Sequence, residues 1–237
     1  MTLKDDAAPE QNNTALHVGG NDAAIINNRK NVADFLRTEL DQFVCAEQPH
    51  SANFHKVTRE DAGRGATAQE TAIPDTDALY TFEKNIVLCT FSADCVPVIF
   101  YNEETGLIGV IHSGWQGTAK EIASRVFRHL QEAENCNLEH FYVQIGAAIS
   151  QEKFEVDRDV YEKFLALGYA EDFIEYKPET DKYHIDNQRT VKEQCKRAGI
   201  PSGRINIDST CTFLHADGFS YRQDRQTGRH MSFIMRK

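Results

Sequence analysis

The sequence predicts an α+β fold with mixed β-sheets, on three observations. Short runs of β-branched and aromatic residues recur along the chain at the length of buried strands. Between them lie segments whose apolar residues return at helical spacing. The two kinds of element do not alternate strictly, as they would in a doubly wound parallel sheet. A chain of 237 residues without internal repeats fits one domain, residues 1–237, because chains up to ~250 residues can share a single core.

The elements follow in order. From Asp22 to Leu40 the apolar residues Ile25, Ile26, Val32, Phe35, Leu36 and Leu40 mark one face of a helix, with Asp22 as its N-cap. Phe43-Val44-Cys45 reads as a strand entering Gln48-Pro49-His50, which puts His50 at a strand end or in the loop after it. From Thr58 to Asp77 the chain turns to Gly, Ala, Thr, Asp and Glu, the composition of a long exposed loop. Ile86 to Phe91 and Val96 to Tyr101 are strands separated by Ser92-Ala93-Asp94-Cys95. Leu107 to Ile111 is a third, ending at His112-Ser113-Gly114-Trp115-Gln116-Gly117. Thr118-x-x-Glu121 has capping-box spacing and predicts a helix over Thr118 to Glu132. Phe141 to Ile145 reads as a strand, and helices follow over Asp157 to Leu167, closed by Gly168, and Asp186 to Ala198, with Asp186 as N-cap and Gly199 beyond its end. Ile205 to Ile207, Cys211 and Met231 to Met235 supply the last strand candidates.

Lys and Arg number 26 against 36 Asp and Glu, a net charge of −10. That balance argues against nonspecific binding to nucleic acid or membranes and favours a small substrate. Met1 to Thr14 lacks the basic start and apolar core of a secretory signal, and no apolar run approaches ~18 residues, so a soluble cytoplasmic protein is expected. The six cysteines, with no Cys-x-x-Cys pair, read as reduced thiols rather than a disulfide framework or a local zinc finger.

The chemistry-bearing residues crowd between Ile86 and Gly117. Asp94-Cys95 lies between two strands. His112 sits where a strand gives way to a helix, a turn whose N–H groups favour an anion. Ser92-Ala93-Asp94-Cys95-Val96-Pro97-Val98 and His112-Ser113-Gly114-Trp115-Gln116-Gly117 resemble the two signature segments of the YfiH-like family. Those proteins were long labelled laccase-domain or polyphenol oxidase proteins and later described as zinc-dependent purine nucleoside phosphorylases. Gln48-Pro49-His50-Ser51, Ile145 to Ile149, Phe219 to Arg222 and Thr227-Gly228-Arg229 are similar to further family segments in the same order, so the resemblance spans nearly the whole chain.

The resemblance implies β-sheets packed face to face with helices outside, an α/β/β/α order of layers. It implies His50, Cys95 and His112 as zinc ligands, a set that no local spacing would find. Two imidazoles and a thiolate leave a fourth position open, as catalytic zinc sites do. The bland alternative is that Cys95 is a small buried hydrophobe and both histidines are hydrogen-bonded at strand ends. The resemblance further implies phosphorolysis of purine nucleosides, with methylthioadenosine phosphorylase and adenosine deaminase as added activities. The deaminase signature His-x-Glu with Pro-Cys-x-x-Cys is absent.

Phosphorolysis needs cations and N–H donors for phosphate. Ser113, Gly114 and Gln116 at the turn, with Arg222 and Arg229 near the C-terminus, are the candidates, although the two arginines also belong to a basic run that could simply be solvated. Asp94 could act as a base or orient a histidine; it could equally serve a structural turn. Gln116 stands where the family segment usually has an arginine, which removes a charge suited to an anion.

Two other functions remain open on these residues. Cys95 as nucleophile with His112 as base would make a cysteine hydrolase. A copper-dependent polyphenol oxidase is disfavoured, because none of the nine histidines forms a His-x-His pair, although copper(II) binds most two-His, one-Cys sites avidly. The oligomeric state is not legible.

Overall fold

The central strands of this chain alternate between two apolar partners, and that alternation builds the layers. The structure is a computed structural model describing all residues Met1–Lys237. Its helices are α1 (Asp22–Leu36), α2 (Trp115–Ala119), α3 (Ile122–Glu132), α4 (Arg158–Leu165) and α5 (Asn187–Ala198). Its strands are β1 (Phe43–Val44), β2 (Phe54–Lys56), β3 (Ala78–Thr81), β4 (Val87–Ser92), β5 (Val96–Asn102), β6 (Ile108–Ser113), β7 (Phe141–Ile145), β8 (Glu155–Val156), β9 (Ile174–Lys177), β10 (Lys182–Ile185), β11 (Ile205–Ile207) and β12 (His230–Met235).

Three sheets result, in the orders β1-β4-β12, β11-β7-β5-β6-β3-β2 and β8-β10-β9. On β4, Val87, Cys89 and Phe91 face α1 through Val32 and Ala33, while Leu88 faces the six-stranded sheet. On that sheet Leu79, Ile99, Ile108 and Val110 meet Leu88 and Ile234 of the three-stranded one. The opposite face carries Val98, Phe100, Ile111 and Val143 onto Val126, Phe127 and Leu130 of α3 and Val191 and Cys195 of α5. A period of two on the strands and of 3.6 on the helices therefore gives helix, sheet, sheet, helix, the predicted mixed α+β order. The small antiparallel sheet β8-β10-β9 packs with α4 beside these layers, through Phe154, Val156, Phe164 and Ile185. No helix is long and apolar enough to cross a membrane, and all six cysteines are free thiols.

Several expectations need correction. The N-cap of α1 is Asn21, whose side chain accepts from Ala24 N, and the helix ends where Arg37 turns left-handed, short of Leu40. Phe35, placed on the apolar face, is 79% exposed. The segment from Thr58 to Asp77 is exposed only in part. Ala66, Ala72 and Ile73 are buried, Ala46 and Ile73 form a parallel bridge, and the carbonyls of Gly65 and Ala66 accept from the buried guanidinium of Arg29 at 2.6 and 2.7 Å. An internal cation thus satisfies a backbone that water would otherwise have to solvate. The helix expected from Thr118 divides in two, because Glu121 adopts φ 58 and the Thr118 hydroxyl bonds Ser113 at 2.8 Å instead of capping. By contrast Asp186 caps α5 through Arg189 N, and Gly199 closes it at φ 119, as its spacing predicts.

Candidate functional site

The hairpin β5-β6 brings Cys95 and His112 together. Antiparallel register sets Val96 opposite Ser113 and Pro97 opposite His112, so Cys95, one residue before β5, lies beside the end of β6. The separation of 17 residues that matches no metal motif is the length of this hairpin. His50 arrives from the loop after β1, where Gln48 fixes the chain: its side chain accepts from Phe91 N at 2.8 Å and donates to Phe91 O at 2.7 Å. His50 then takes φ 64, and its carbonyl accepts from Lys120 Nζ at 2.8 Å.

Asp77, just before β3, ties these pieces together. One carboxylate oxygen accepts from His50 N at 3.1 Å and lies 2.9 Å from His112 Nδ1; the other accepts from Ser51 N and Oγ at 2.6 and 2.7 Å. The Asp77 carbonyl also accepts from His112 N at 2.7 Å. The bond at Nδ1 aims Nε2 of His112 toward Cys95, the arrangement in which a carboxylate fixes the tautomer of a metal-binding histidine. The ligand atoms of His50, Cys95 and His112 all lie within 4.8 Å of one another, with Cys95 Sγ 3.8 Å from His50 Nε2. Gly114 closes in behind them: a Cβ there would stand 2.6 Å from His50 Cδ2 and 2.9 Å from Cys95 Sγ.

Electrostatics follow the geometry. Burial pushes the Cys95 thiol up, but the charge and hydrogen bond of His112, then those of His50, override it and bring its pKa down to about 6. Burial pushes His112 down, and the charge of Cys95 together with Asp77 raises it to about 9. Burial likewise opposes Asp77, whose bonds from His112 and Ser51 hold it below the usual carboxylate range. Without a metal the pair is a thiolate facing an imidazolium; with one, His112 gives up its proton to become a ligand. Two imidazoles, a preformed thiolate and an orienting carboxylate are a donor set that fits a zinc-like divalent ion with an open position.

The site opens into a cavity of about 870 Å³. Trp115, Ile149, Phe154, Val156 and Val160 form an apolar wall, and His17, Arg222, Arg225 and Arg229 line it as well. Lys163 lies 5.6 Å from the centre of the Trp115 ring.

Some predicted site residues do not reach this cavity as expected. Ser113 is fully buried with its hydroxyl on Thr118, and Gln116 is exposed outside the cavity lining. The five-residue α2 therefore presents no phosphate cradle, and Gly114 serves the packing of His50 and Cys95. Asp94, at φ 84, turns its carboxylate away from the histidines. It accepts from Thr212 Oγ1 at 2.7 Å, Ser220 Oγ at 3.0 Å and Arg222 N at 2.7 Å, so it anchors the C-terminal loop and is not a base. Arg222 lies over Phe154 and donates to Glu155 O at 2.9 Å.

Two site residues escaped sequence reasoning. Asp77 closes the segment read as an exposed loop, and only placement of β3 beside β6 would have found it. His17 precedes Gly19-Gly20 in a segment without periodicity. Partial loss of solvent inside the cavity, then Arg229 and Arg29, then His112 and His50, hold it down to about 4, neutral at physiological pH.

Comparison with known proteins agrees with this architecture. The family described as "Multi-copper polyphenol oxidoreductase laccase" matches residues 5–237. "Purine nucleoside phosphorylase YlmD" of Bacillus subtilis is 37% identical over 227 residues, covering 95% of this chain and 82% of that protein. The crystal structure of YlmD from Geobacillus stearothermophilus superposes with a TM-score of 0.94 at 34% identity, over 100% of this chain and 90% of that one. The Bacillus licheniformis hypothetical protein YfiH gives 0.91 at 37% identity, over 95% and 86%. On the family match over residues 5–237 and these relatives, the chain belongs to the YfiH/YlmD family that carries the laccase description.

Proposed function

We propose that this protein is a zinc-dependent purine nucleoside phosphorylase of the cytoplasm. The observation that carries the reading is the convergence of His50, Cys95 and His112 within 4.8 Å at a cavity lined by apolar side chains, by Arg222, Arg225 and Arg229, and by the carboxylates Glu47, Asp94, Glu155, Asp157 and Asp159. About 870 Å³ is within the usual size of small-ligand sites, ~300–1,000 Å³. Relatives named purine nucleoside phosphorylase support the substrate class.

In this reading Trp115, Phe154 and Val160 receive the base, while Arg222 and Arg229 offer N–H donors to phosphate. A bound metal supplies Lewis-acid stabilisation of charge that develops on the substrate. Asp77 holds His112 in the tautomer that ligates, Gly114 keeps the ligands close, and Asp94 fixes the loop that carries Arg222. Zinc suits the donor set better than the copper of the family description. His50, Cys95 and His112 are the chain's one cluster of three metal-ligating residues, whereas multicopper oxidation requires several.

A second reading has one observation in its favour. Cys95, His112 and Asp77 are ordered as nucleophile, base and orienting carboxylate, the logic of a thiol hydrolase. A thiolate bound to metal is not a free nucleophile, so metal content separates the two readings.

The test is release of free base from inosine, guanosine and adenosine by zinc-loaded protein with and without phosphate. Base release that requires phosphate, yields ribose 1-phosphate and is lost in Cys95→Ala supports the proposal. Equal release without phosphate, or none from any nucleoside, refutes it. Ammonia from adenosine and adenine from methylthioadenosine, followed in the same assay, test the two added activities.

A further inference from the structure

His17 and Arg229 of the cavity lining come from the two ends of the chain, which the side chains of Asn13 and Thr14 join. Asn13, buried to 1%, accepts from Arg229 N at 2.9 Å through Oδ1 and donates to Val18 O at 2.9 Å through Nδ2. Thr14 Oγ1 donates to Arg229 O at 2.9 Å. The turn carrying His17 and the strand entry carrying Arg229 therefore move as one piece. A Cβ on Gly228 would stand 2.7 Å from Asn13 Cβ, so the joint is close-packed.

This piece carries two cations, Arg29 and Arg229, whose hydrogen bonds all end on carbonyl oxygens, while the carboxylates of the cavity lining stand mostly on other segments. Arg29, 1% exposed, donates only to the carbonyls of Thr14, Gly65 and Ala66. The Arg229 guanidinium donates only to the carbonyls of Thr227 and Gly228. Carbonyl dipoles satisfy hydrogen bonds without cancelling charge, so both cations project a field into low-dielectric surroundings. The anionic groups that Arg229 senses are Cys95, Tyr221 and Asp94, and Asp94 is already held by three donors. His17 lies in that field, exposed at the cavity wall, and its ring makes no hydrogen bond within the protein. A neutral imidazole there offers one free N–H into the cavity that the Arg229 guanidinium also lines, a donor pair suited to a tetrahedral oxyanion.

We propose that His17 and Arg229, backed by Arg29, form the subsite that holds the phosphate dianion beside the metal ligands. The inference rests on the phosphorolytic reading for the identity of the anion, inorganic phosphate. His17 is a binding and positioning residue for that co-substrate, contributed by the N-terminal segment, and Arg222 and Arg225 at the outer wall are secondary to it.

The test is calorimetric titration of zinc-loaded protein with inorganic phosphate, alongside inosine binding read by the fluorescence of Trp115, the only tryptophan. His17→Ala is expected to weaken phosphate about tenfold or more, to raise the KM for phosphate more than it lowers kcat, and to leave the inosine titration unchanged. His17→Asn, which retains an N–H donor, is expected to recover part of the loss, an outcome that misfolding would not produce. Phosphate binding to His17→Ala with wild-type affinity overturns the proposal, as does a wild type that binds a nucleoside 5′-monophosphate but no free phosphate. If wild type binds phosphate through His17 and yet cleaves no nucleoside, the subsite stands and the phosphorylase reading falls.

Discussion

His112 and His230 are both almost completely buried, at 4% and 1% exposure, and both stand at or next to an end of a strand, yet without a metal one ring is charged and the other neutral. Burial lowers each. At His112 the Cys95 sulfur and the Asp77 carboxylate reverse that effect and raise it to about 9. At His230 burial prevails and holds it at about 4, because its partners are neutral: Phe219 N donates to Nε2 at 2.7 Å and Nδ1 lies 2.8 Å from Thr2 O. The difference teaches that depth does not make a histidine functional. His230 spends both nitrogens on backbone, as a structural histidine does, whereas His112 spends one on a carboxylate and aims the other at a thiol.

The comparison breaks most visibly at Cys95. Cys95→Ala should remove the metal and lower activity more than about a hundredfold, measured by metal analysis and phosphorolysis, whereas His230→Gln should leave metal content intact. Asp77→Asn keeps the shape but loses the charge that sets the His112 tautomer, and should weaken metal binding by about 10–100-fold in a competition titration. Gly114→Ala places a methyl group against His50 and Cys95; about tenfold weaker metal binding with a near-normal melting temperature is expected, a loss confined to the site.

His230 predicts an effect of the other kind, on stability. Its folded pKa lies below the unfolded value near 6.5, so the unfolded chain takes up the proton first. Its contribution is complete above pH ~6.5 and is lost as pH falls toward about 4, up to about 3 kcal/mol in all. Urea midpoints should therefore drop between pH 6.5 and 5, and His230→Gln should flatten that slope. A wild-type midpoint constant over this range would contradict the assignment. The smallest change belongs to Gln116, which is exposed: Gln116→Ala should alter stability by less than about 0.5 kcal/mol and leave the KM for phosphate unchanged.

The layers were legible because apolar periodicity is local. Val96 to Tyr101, Phe141 to Ile145 and the helix capped by Asp186 can each be read within a dozen residues. What failed was whatever depended on distant partners. The segment from Thr58 to Asp77 reads as solvated by composition, yet its middle is buried where Arg29, far away in sequence, satisfies the carbonyls of Gly65 and Ala66. Thr118-x-x-Glu121 has the letters of a capping box, but Ser113 takes the hydroxyl. At the site, the resemblance supplied His50, Cys95 and His112 as candidates, and hairpin register supplies the reason that the latter two meet. Asp94 looked catalytic through its position beside Cys95, although a left-handed residue turns it toward Thr212 and Ser220. Asp77 and His17 carried no local signal, since their roles arise from β3 lying beside β6 and from the two chain ends meeting at Asn13.

The central claim is that His50, Cys95 and His112 hold a metal and do not form a free nucleophile–base pair. It is tested most directly by metal analysis of protein purified without added metal, coupled to iodoacetamide labelling of Cys95 at pH 7 before and after chelation. The account predicts about one zinc per chain, a Cys95 protected until the metal is stripped, and then rapid alkylation by a thiolate with a pKa of about 6. A metal-free chain whose Cys95 is alkylated at once would contradict it and establish the thiol as the reactive group.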